Sequence, residues 1–421
     1  MTDQPADRIS TREAARRLGV KPETLYAYVS RGLLASRRAE GGRGSTFDPD
    51  EVEALARRAR PAAAGADGPS DSGGGGGGNS AWVRIRTGVT LIEDDGLYFR
   101  GVDATGLATA YGFEEVAEWL WTGVLRRGVR FTAPEPLLKA ARSAGDALPA
   151  GCGPMDRLRV AVIAAATADP LRFDLSEEAV LGTARSLIPT LVGALPPLGR
   201  PHSGESGLAW RLWSRLTERP ADEASLRVLD AALALLVDHD LAASTLAARV
   251  AASARAHPYA VVSAGLGALD GPLHGQASAL AHRTLAEVLE RGGAGPVVAE
   301  QLRAGRRIPG LGHRLYQGED PRARLLFHLL GQVPAASDAL AAARDLAATA
   351  ARHTPLHPNV DLALAVLSVS AAMPAEAGET VFSVARTAGW IAHALEEYQE
   401  RPLRMRPSGT YQGPPPPQPL P

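Results

Sequence analysis

The feature that most constrains the fold is a long succession of helix-type segments that begins near residue 108. Ala- and Leu-rich stretches follow one another with apolar residues at helical spacing, and Gly and Pro breaks such as Gly292-Gly293 separate them. Strand-type patterns are confined to residues 82–100, where Val83, Ile85 and Val89-Thr90-Leu91 indicate a hairpin or a small meander. We therefore expect an all-α domain with one small β element.

A low-complexity segment divides the chain. Residues 61–80 read PAAAGADGPSDSGGGGGGNS, a composition with nothing to bury and typical of a flexible linker. We therefore expect a small module over residues 1–60 and a large domain over residues 81–412, followed by a proline-rich tail over residues 413–421.

The module before the linker has a recognisable order of elements. A helix is expected to start at Ser10 or Thr11 and to stop at Gly19, and a second helix is expected over residues 22–31. A short wing over residues 33–47 and a helix over residues 49–60 would follow. This order resembles the winged helix-turn-helix of the MerR and excisionase class.

The charge of this module favours DNA over a protein docking partner. Residues 8–43 hold nine Lys or Arg and three Glu, so the difference is +6, and phosphate contacts need such a local patch. The resemblance implies that the helix over residues 22–31 enters the major groove, with arginines in the wing. The implied DNA-binding residues are Lys21, Glu23, Thr24, Tyr26, Tyr28, Arg37, Arg38 and Arg43.

Three polar residues stand out in the large domain. His274 follows a Gly-Pro turn and precedes a helix expected over residues 276–291, where the positive end of the helix dipole favours a neutral imidazole. His313 follows a second glycine-rich turn, and Asp361 starts an apolar helix, where it could also be a plain N-cap. Two hydrogen-bond donors and one base are the set needed to enolise a weakly acidic C–H and add the enol to a carbonyl.

At these residues and beyond, the sequence resembles the citrate synthase family over roughly residues 81–412. The segments that carry the resemblance are Leu97 to Val102, Phe113 to Gly123, His239 to Thr245, Leu269 to Ala277, Pro309 to Tyr316, Pro358 to Asp361 and Phe382 to His393. The resemblance implies a large helical domain and a small mobile helical subdomain at about residues 270–375. It also implies a homodimer.

The resemblance implies a role for each of the matching residues. Asp361 would remove a methyl proton from acetyl-CoA, His274 would donate to the thioester oxygen, and His313 would polarise the ketone of oxaloacetate. The implied oxaloacetate-binding residues are His239, Arg322, Arg386, Phe382 and Arg404, the last reaching across from the partner subunit. Ser244 would support His274. The products would be citrate and CoA, as in the tricarboxylic acid cycle.

Departures from the family pattern leave three functions open. Ala242 replaces a usual asparagine, Gln276 and Ser278 follow the His274 motif in place of the usual residues, and Gln317 stands where a basic residue often meets CoA phosphates. The chain could be a citrate synthase or a 2-methylcitrate synthase that uses propionyl-CoA. It could also be a transcription regulator whose citrate synthase-like domain senses a ligand.

Composition excludes some other classes of protein. The net charge is −1, and Cys152 is the only cysteine, which excludes a disulfide framework and fits a reducing cytoplasm. The most apolar run, residues 231–237, is too short to span a membrane, and no residues have metal-ligand spacing. We expect no metal and no cofactor, only acyl-CoA as co-substrate, and no membrane association.

Overall fold

The structure is a computed structural model. It describes residues 9–18, 25, 29, 34–38, 45–49, 51–52, 85–200, 207–271, 275–407 and 411–418. The chain forms two compact units, Met1–Val83 and Arg84–Pro421.

The first unit contains the predicted helix and wing. Strand β1 (Ile9–Ser10) leads into α1 (Thr11–Leu18), and the strands β2 (Ser36–Arg38) and β3 (Ser45–Phe47) form an antiparallel wing, with β3 between the other two. Ser10 is the cap of α1, since its Oγ accepts the Glu13 N–H at 3.3 Å. Of the second predicted helix only residues 25 and 29 are described, and both are helical; the predicted stop at Gly19 lies outside the described residues.

The second unit opens with a three-stranded antiparallel meander. Its strands are β4 (Thr90–Glu93), β5 (Gly96–Phe99) and β6 (Val102–Asp103). Of the residues that predicted it, Thr90 and Leu91 lie in β4, whereas Ile85 is not in a strand and Val83 lies outside the described residues. Asp94 and Asp95 make the turn with φ of 49° and 59°, a left-handed conformation that Asp tolerates.

Helices make up most of the remaining described chain, as predicted. They are α2 (Ala104–Ala110), α3 (Phe113–Thr122), α4 (Glu135–Asp146), α5 (Pro154–Ala168), α6 (Glu177–Ala194), α7 (Leu208–Leu216), α8 (Glu223–Leu235), α9 (Ala243–Ser253), α10 (Pro258–Leu269), α11 (Ala277–Glu290), α12 (Ala294–Arg303), α13 (Pro321–Leu330), α14 (Ser337–Ala351), α15 (Val360–Ser370) and α16 (Ala377–Gln399). The predicted helix over residues 276–291 corresponds to α11, which ends before Gly292 at φ 71°.

The central helix α16 is buried along most of its length and positions the site. Trp390 is fully buried, and a Cβ at Gly265 of α10 would lie 2.6 Å from its ring, so only glycine allows this close approach. On the same helix a side chain at Gly389 would clash with the carbonyl oxygen of Val237. These contacts hold α16 against α10 and against the segment that follows α8.

The helices between residues 277 and 370 pack mainly on one another, with α11 against α15 and α14 against both α11 and α12. The boundaries of the small subdomain near residues 270 and 375 stay a prediction. Within the described ranges no single helix is long and apolar enough to cross a membrane, although the bent pair Pro321–Leu330 and Pro334–Ala351 passes the same test of length and composition.

Candidate active site

A cleft of about 890 Å³ opens in the second unit and gathers most of the predicted site residues. Its walls are formed by His239, Asp240, Leu241, Ala242, Ala243, Ala268, Gly271, Gly275, Ser278, His313, Arg314, Leu315, Arg322, Val360, Asp361, Phe382 and Arg386. His274 lies outside the described residues, but Gly271 and Gly275 on either side of it line the cleft.

The strand-like pairing of two loops places His313 beside Asp361. Leu311 and Pro358 form an antiparallel bridge, and the Asn359 amide donates to the Gly312 carbonyl oxygen at 2.9 Å. Gly312 has φ of 80°, which disfavours a side chain there and explains the glycine before the histidine. The glycine-rich turn therefore allows the segment of His313 to pair with the segment that leads into Asp361.

Asp361 is not the cap of its helix. Asn359 caps α15, because its Oδ1 accepts the N–H groups of Asp361 at 3.0 Å and Leu362 at 3.3 Å. The Asp361 carboxyl instead faces the cleft wall and accepts a hydrogen bond from Ser278 Oγ at 2.5 Å. Burial raises the pKa of Asp361, while the Ser278 hydroxyl and the charge of Arg322 act against that rise.

His313 is held as a neutral hydrogen-bond donor. Its Nδ1 lies 3.1 Å from the Leu315 N–H and accepts from it, so the proton of a neutral ring resides on Nε2. Burial, and then the charge of Arg322, lower the pKa of His313 to about 4, so the ring carries no charge at pH 7. A neutral Nε2–H polarises a carbonyl oxygen without first losing a charge.

His239 packs edge-on against His313, with ring centroids 5.0 Å apart. Its Nε2 forms a 2.8 Å hydrogen bond with the hydroxyl of Tyr316. Burial, together with the charges of Arg322 and Arg386, lowers the pKa of His239 well below its usual value. Two neutral imidazoles and two cations therefore line the same cleft.

The two cleft arginines differ in their partners. Arg322 is buried and forms a two-pronged ion pair with Asp320, Nε to Oδ1 at 3.0 Å and Nη2 to Oδ2 at 2.8 Å. Arg386 is 1% exposed and donates from Nε to the Leu236 carbonyl oxygen at 3.0 Å. Its Nη1 and Nη2 have no hydrogen-bond partner among the described residues.

The surroundings of Arg386 favour binding of an anion. Its guanidinium carbon lies 4.4 Å from the centre of the Phe382 ring. Burial, with Asp238 acting against it, lowers the pKa of Arg386 to about 10, so the group is still charged at pH 7. A buried cation with two unpaired nitrogens matches the fork geometry that a carboxylate accepts.

Two predicted residues lie away from the cleft lining. Ser244 is fully buried at the start of α9, just behind Ala242 and Ala243, which do line the cleft. Arg404 forms a two-pronged ion pair with Glu397 of its own chain, both contacts at 2.7 Å. For Arg404 to bind substrate in the partner subunit, its ion pair with Glu397 would have to break.

Most of the predicted DNA contacts lie outside the described residues. These are Lys21, Glu23, Thr24, Tyr26, Tyr28 and Arg43. Arg37 and Arg38 belong to β2, in the wing that the sequence predicted.

Three residues of the site were not predicted as functional. Tyr316 binds His239, Ser278 binds Asp361, and Asp320 holds Arg322 while also accepting the Val360 N–H at 3.1 Å. Asp320-Pro321 carries the local signal of a helix start, an N-cap followed by proline, but its partner Val360 is forty positions away. Within the described part of the chain, no group of three or more His, Cys, Asp or Glu could hold a metal ion.

Comparison with known families gives two matches in different parts of the chain. A sequence model described as "Citrate synthase, C-terminal domain" matches residues 80–408, and one described as "MerR family regulatory protein" matches residues 10–44.

Two curated relatives are similar over most of their length. The citrate synthase of Haloferax volcanii is 30% identical over 341 residues, which is 75% of this chain and 89% of that protein. The 2-methylcitrate synthase 1 of Corynebacterium glutamicum is 28% identical over 362 residues, covering 76% and 90%.

Solved structures show the same fold. The crystal structure of citrate synthase from Pyrobaculum aerophilum superimposes with a TM-score of 0.68 at 25% identity, covering 80% of this chain and 93% of that one. A Thermoplasma acidophilum citrate synthase in ternary complex with carboxymethyl coenzyme A and oxaloacetate superimposes with a TM-score of 0.64 at 24% identity, covering 81% and 97%.

Proposed function

Because this chain belongs to the citrate synthase family and is a citrate synthase-type transferase, we propose that it condenses acetyl-CoA with oxaloacetate to give citrate and CoA. The observation that supports this most is the cleft, where a half-buried carboxyl, two neutral histidines and the unpaired cation of Arg386 share one cavity. The reaction needs no metal and no cofactor beyond the thioester itself.

The proposed roles follow from the chemistry of each group. Asp361 takes a proton from the methyl carbon of the thioester, and His274 donates a hydrogen bond to the thioester oxygen as the enol forms. The enol carbon then bonds to the ketone carbon of oxaloacetate, whose oxygen is polarised by His313. Water cleaves the citryl thioester and releases CoA.

The proposed substrate site is cationic. Arg322 and Arg386 offer charge to the two carboxylates of oxaloacetate, with His239 as a further neutral donor and Phe382 packed against Arg386. Arg404 is proposed to bind oxaloacetate in the partner subunit, but its ion pair with Glu397 competes with that role. Ser244, buried behind the cleft wall, supports the turn that carries His274.

Preference for the acyl group is the first test of this proposal. If acetyl-CoA is the substrate, as proposed, we expect its kcat/KM to exceed that of propionyl-CoA by roughly tenfold or more. The size of this difference follows because one methylene changes binding in a pocket by about 1–3 kcal/mol. Release of CoA thiol in the presence of oxaloacetate measures both. The reverse preference would assign the 2-methylcitrate reaction, for which the Corynebacterium glutamicum relative is named.

We also propose that the module over residues 1–60 binds DNA. The MerR match over residues 10–44 and the excess of six positive charges over residues 8–43 support it. On this account the enzyme carries a DNA-binding module. A regulator that senses a ligand without turnover is the alternative, favoured by Ala242 in the cleft wall.

Reversal of charge in the wing is expected to weaken DNA binding. Arg37→Glu with Arg38→Glu should reduce affinity for duplex DNA at low salt by about 10-fold or more and flatten its salt dependence, because phosphate contacts are lost. Fluorescence anisotropy with a labelled duplex measures this. Arg303→Glu with Arg344→Glu, two exposed positions in the other unit, makes the same change of net charge, and equal weakening by both pairs would contradict a specific role of the wing.

We propose that the chain assembles as a homodimer. Its single cysteine supports the cytoplasm as its proposed location. Leu246 and Val250 lie one turn apart on α9 and are 43% and 45% exposed, an apolar stripe that a second copy would cover. Light scattering should therefore give about twice the chain mass of 44.0 kDa.

A further inference from the structure

Three helices meet at their second residues beside the cleft. Ser278 is the second residue of α11, Asp361 of α15 and Gly378 of α16. Ser278 is 3% exposed, and its Oγ lies 2.5 Å from Asp361 Oδ1. A Cβ at Gly378 would lie 2.6 Å from the Ser278 Cβ, so the missing side chain makes room for the serine.

This hydrogen bond acts on one oxygen of the carboxylate. A hydroxyl that donates to a carboxylate over 2.5 Å forms a charge-assisted bond, which is stronger than a neutral one and directional. It engages Oδ1, and the remaining oxygen, Oδ2, is the one left for a proton from substrate. It also favours the ionised carboxylate, in which Asp361 is a base, over the neutral acid.

We propose that Ser278 is a positioning residue for Asp361, in that its hydroxyl fixes the carboxylate with Oδ1 engaged and leaves Oδ2 to accept the substrate proton. The proposal rests on the proposed function for the identity of that proton.

Other charged groups face the same junction and must be separated from Ser278. Arg322 and Asp320 act on Asp361 from the start of α13, and Glu379 does so from α16. Burial, with the charge of Glu376, raises the pKa of Glu379 to about 7, so this carboxyl could add its own step to a pH profile. Glu379→Gln removes that step and leaves Ser278 in place.

Ser278→Ala is expected to move the acid limb of the pH profile of kcat/KM upward by about one pH unit, with about a tenfold loss on the acid side. The sign follows because the variant removes a donor to the charged form, which raises the pKa of Asp361 further. Ser278→Thr keeps the hydroxyl and should keep the limb near its original pH. An acid limb that does not move in Ser278→Ala, measured in the Glu379→Gln background, would overturn the proposal.

A packing role alone is tested by exchanging the two small residues. Gly378→Ala should shift the limb in the same direction, because its Cβ displaces Ser278 from Asp361. Ser278→Gly combined with Gly378→Ala restores the packing without the hydroxyl, and the proposal expects the shift to remain. Recovery of the original pH profile in this double variant would show that Ser278 only fills space.

Thermal unfolding gives a readout that does not depend on turnover. Asp361 with a raised pKa costs stability only above its unfolded pKa, so loss of the Ser278 donor should lower Tm more at pH 8 than at pH 4. In an Asp361→Asn background this pH dependence should vanish. If the pH dependence persists in the Asp361→Asn background, or if the loss of Tm is equal at pH 4 and pH 8, the proposal for Ser278 fails even where turnover is normal. If the Tm pattern is as expected but the protein shows no turnover, the proposed function is refuted instead.

Discussion

Asp361→Asn is expected to lower kcat for CoA release by roughly 100- to 10,000-fold, the usual contribution of a positioned general base. The carboxyl is the group in the cleft whose pKa burial raises, and the amide that replaces it has the same shape but accepts no proton. The measurement is steady-state thiol release at pH 8, compared with the wild type under the same conditions.

Folding should survive this change. Asn359, not Asp361, caps α15, so the helix start is intact in the variant. The variant also removes a carboxyl that is held at a raised pKa, so its Tm at pH 7 should equal or exceed that of the wild type. A folded variant that keeps kcat within threefold of the wild type would exclude Asp361 as the base.

Arg386→Met is expected to lower kcat/KM for oxaloacetate by roughly 100- to 1,000-fold, because truncation of a buried charged partner costs about 2–5 kcal/mol. Its Nη1 and Nη2 lack hydrogen-bond partners among the described residues, so the variant should lose mainly substrate binding, and the fold loses only the Nε bond to the Leu236 carbonyl oxygen. Loss of this one hydrogen bond is offset by removal of a desolvated cation, so Tm should change little. KM for acetyl-CoA serves as the internal control.

Arg322→Met is the matched contrast, because Asp320 would keep its charge in a buried place without its partner. Removal of one member of a buried ion pair costs about 3–5 kcal/mol of folding stability. Denaturant unfolding of the two variants should therefore separate them, with a large loss for Arg322→Met and a small change for Arg386→Met. Equal losses of stability would mean that Arg386 is structural.

The sequence predicted those parts of the fold and site that depend on local pattern. Helix α11 and the wing of the first unit follow from caps and periodicity, and the fold class is confirmed by the structure and by the family match. In the predicted strand region, Thr90 and Leu91 do belong to β4, but Ile85 does not belong to a strand, because pairing from the Asp94-Asp95 turn runs only as far as Thr90 with Phe99.

Contacts between distant residues could not be predicted. Ser278 and Asp361 are 83 positions apart, and His239 and Tyr316 are 77 apart, so no local spacing points to either hydrogen bond. The sequence shows that Arg404 is a cation but not that Glu397 occupies its fork. Such pairs depend on how the helices pack against one another. Periodicity predicts which face of a helix is buried, but not which residue of another helix that face contacts.

The most direct test of the central claim is release of CoA from acetyl-CoA by the full-length chain, with and without oxaloacetate, followed as thiol. Turnover that depends on oxaloacetate and yields citrate in equal amount is the predicted result. A folded protein that binds oxaloacetate but releases no CoA from acetyl-CoA or propionyl-CoA would contradict the account, and the cleft would then be a sensor site.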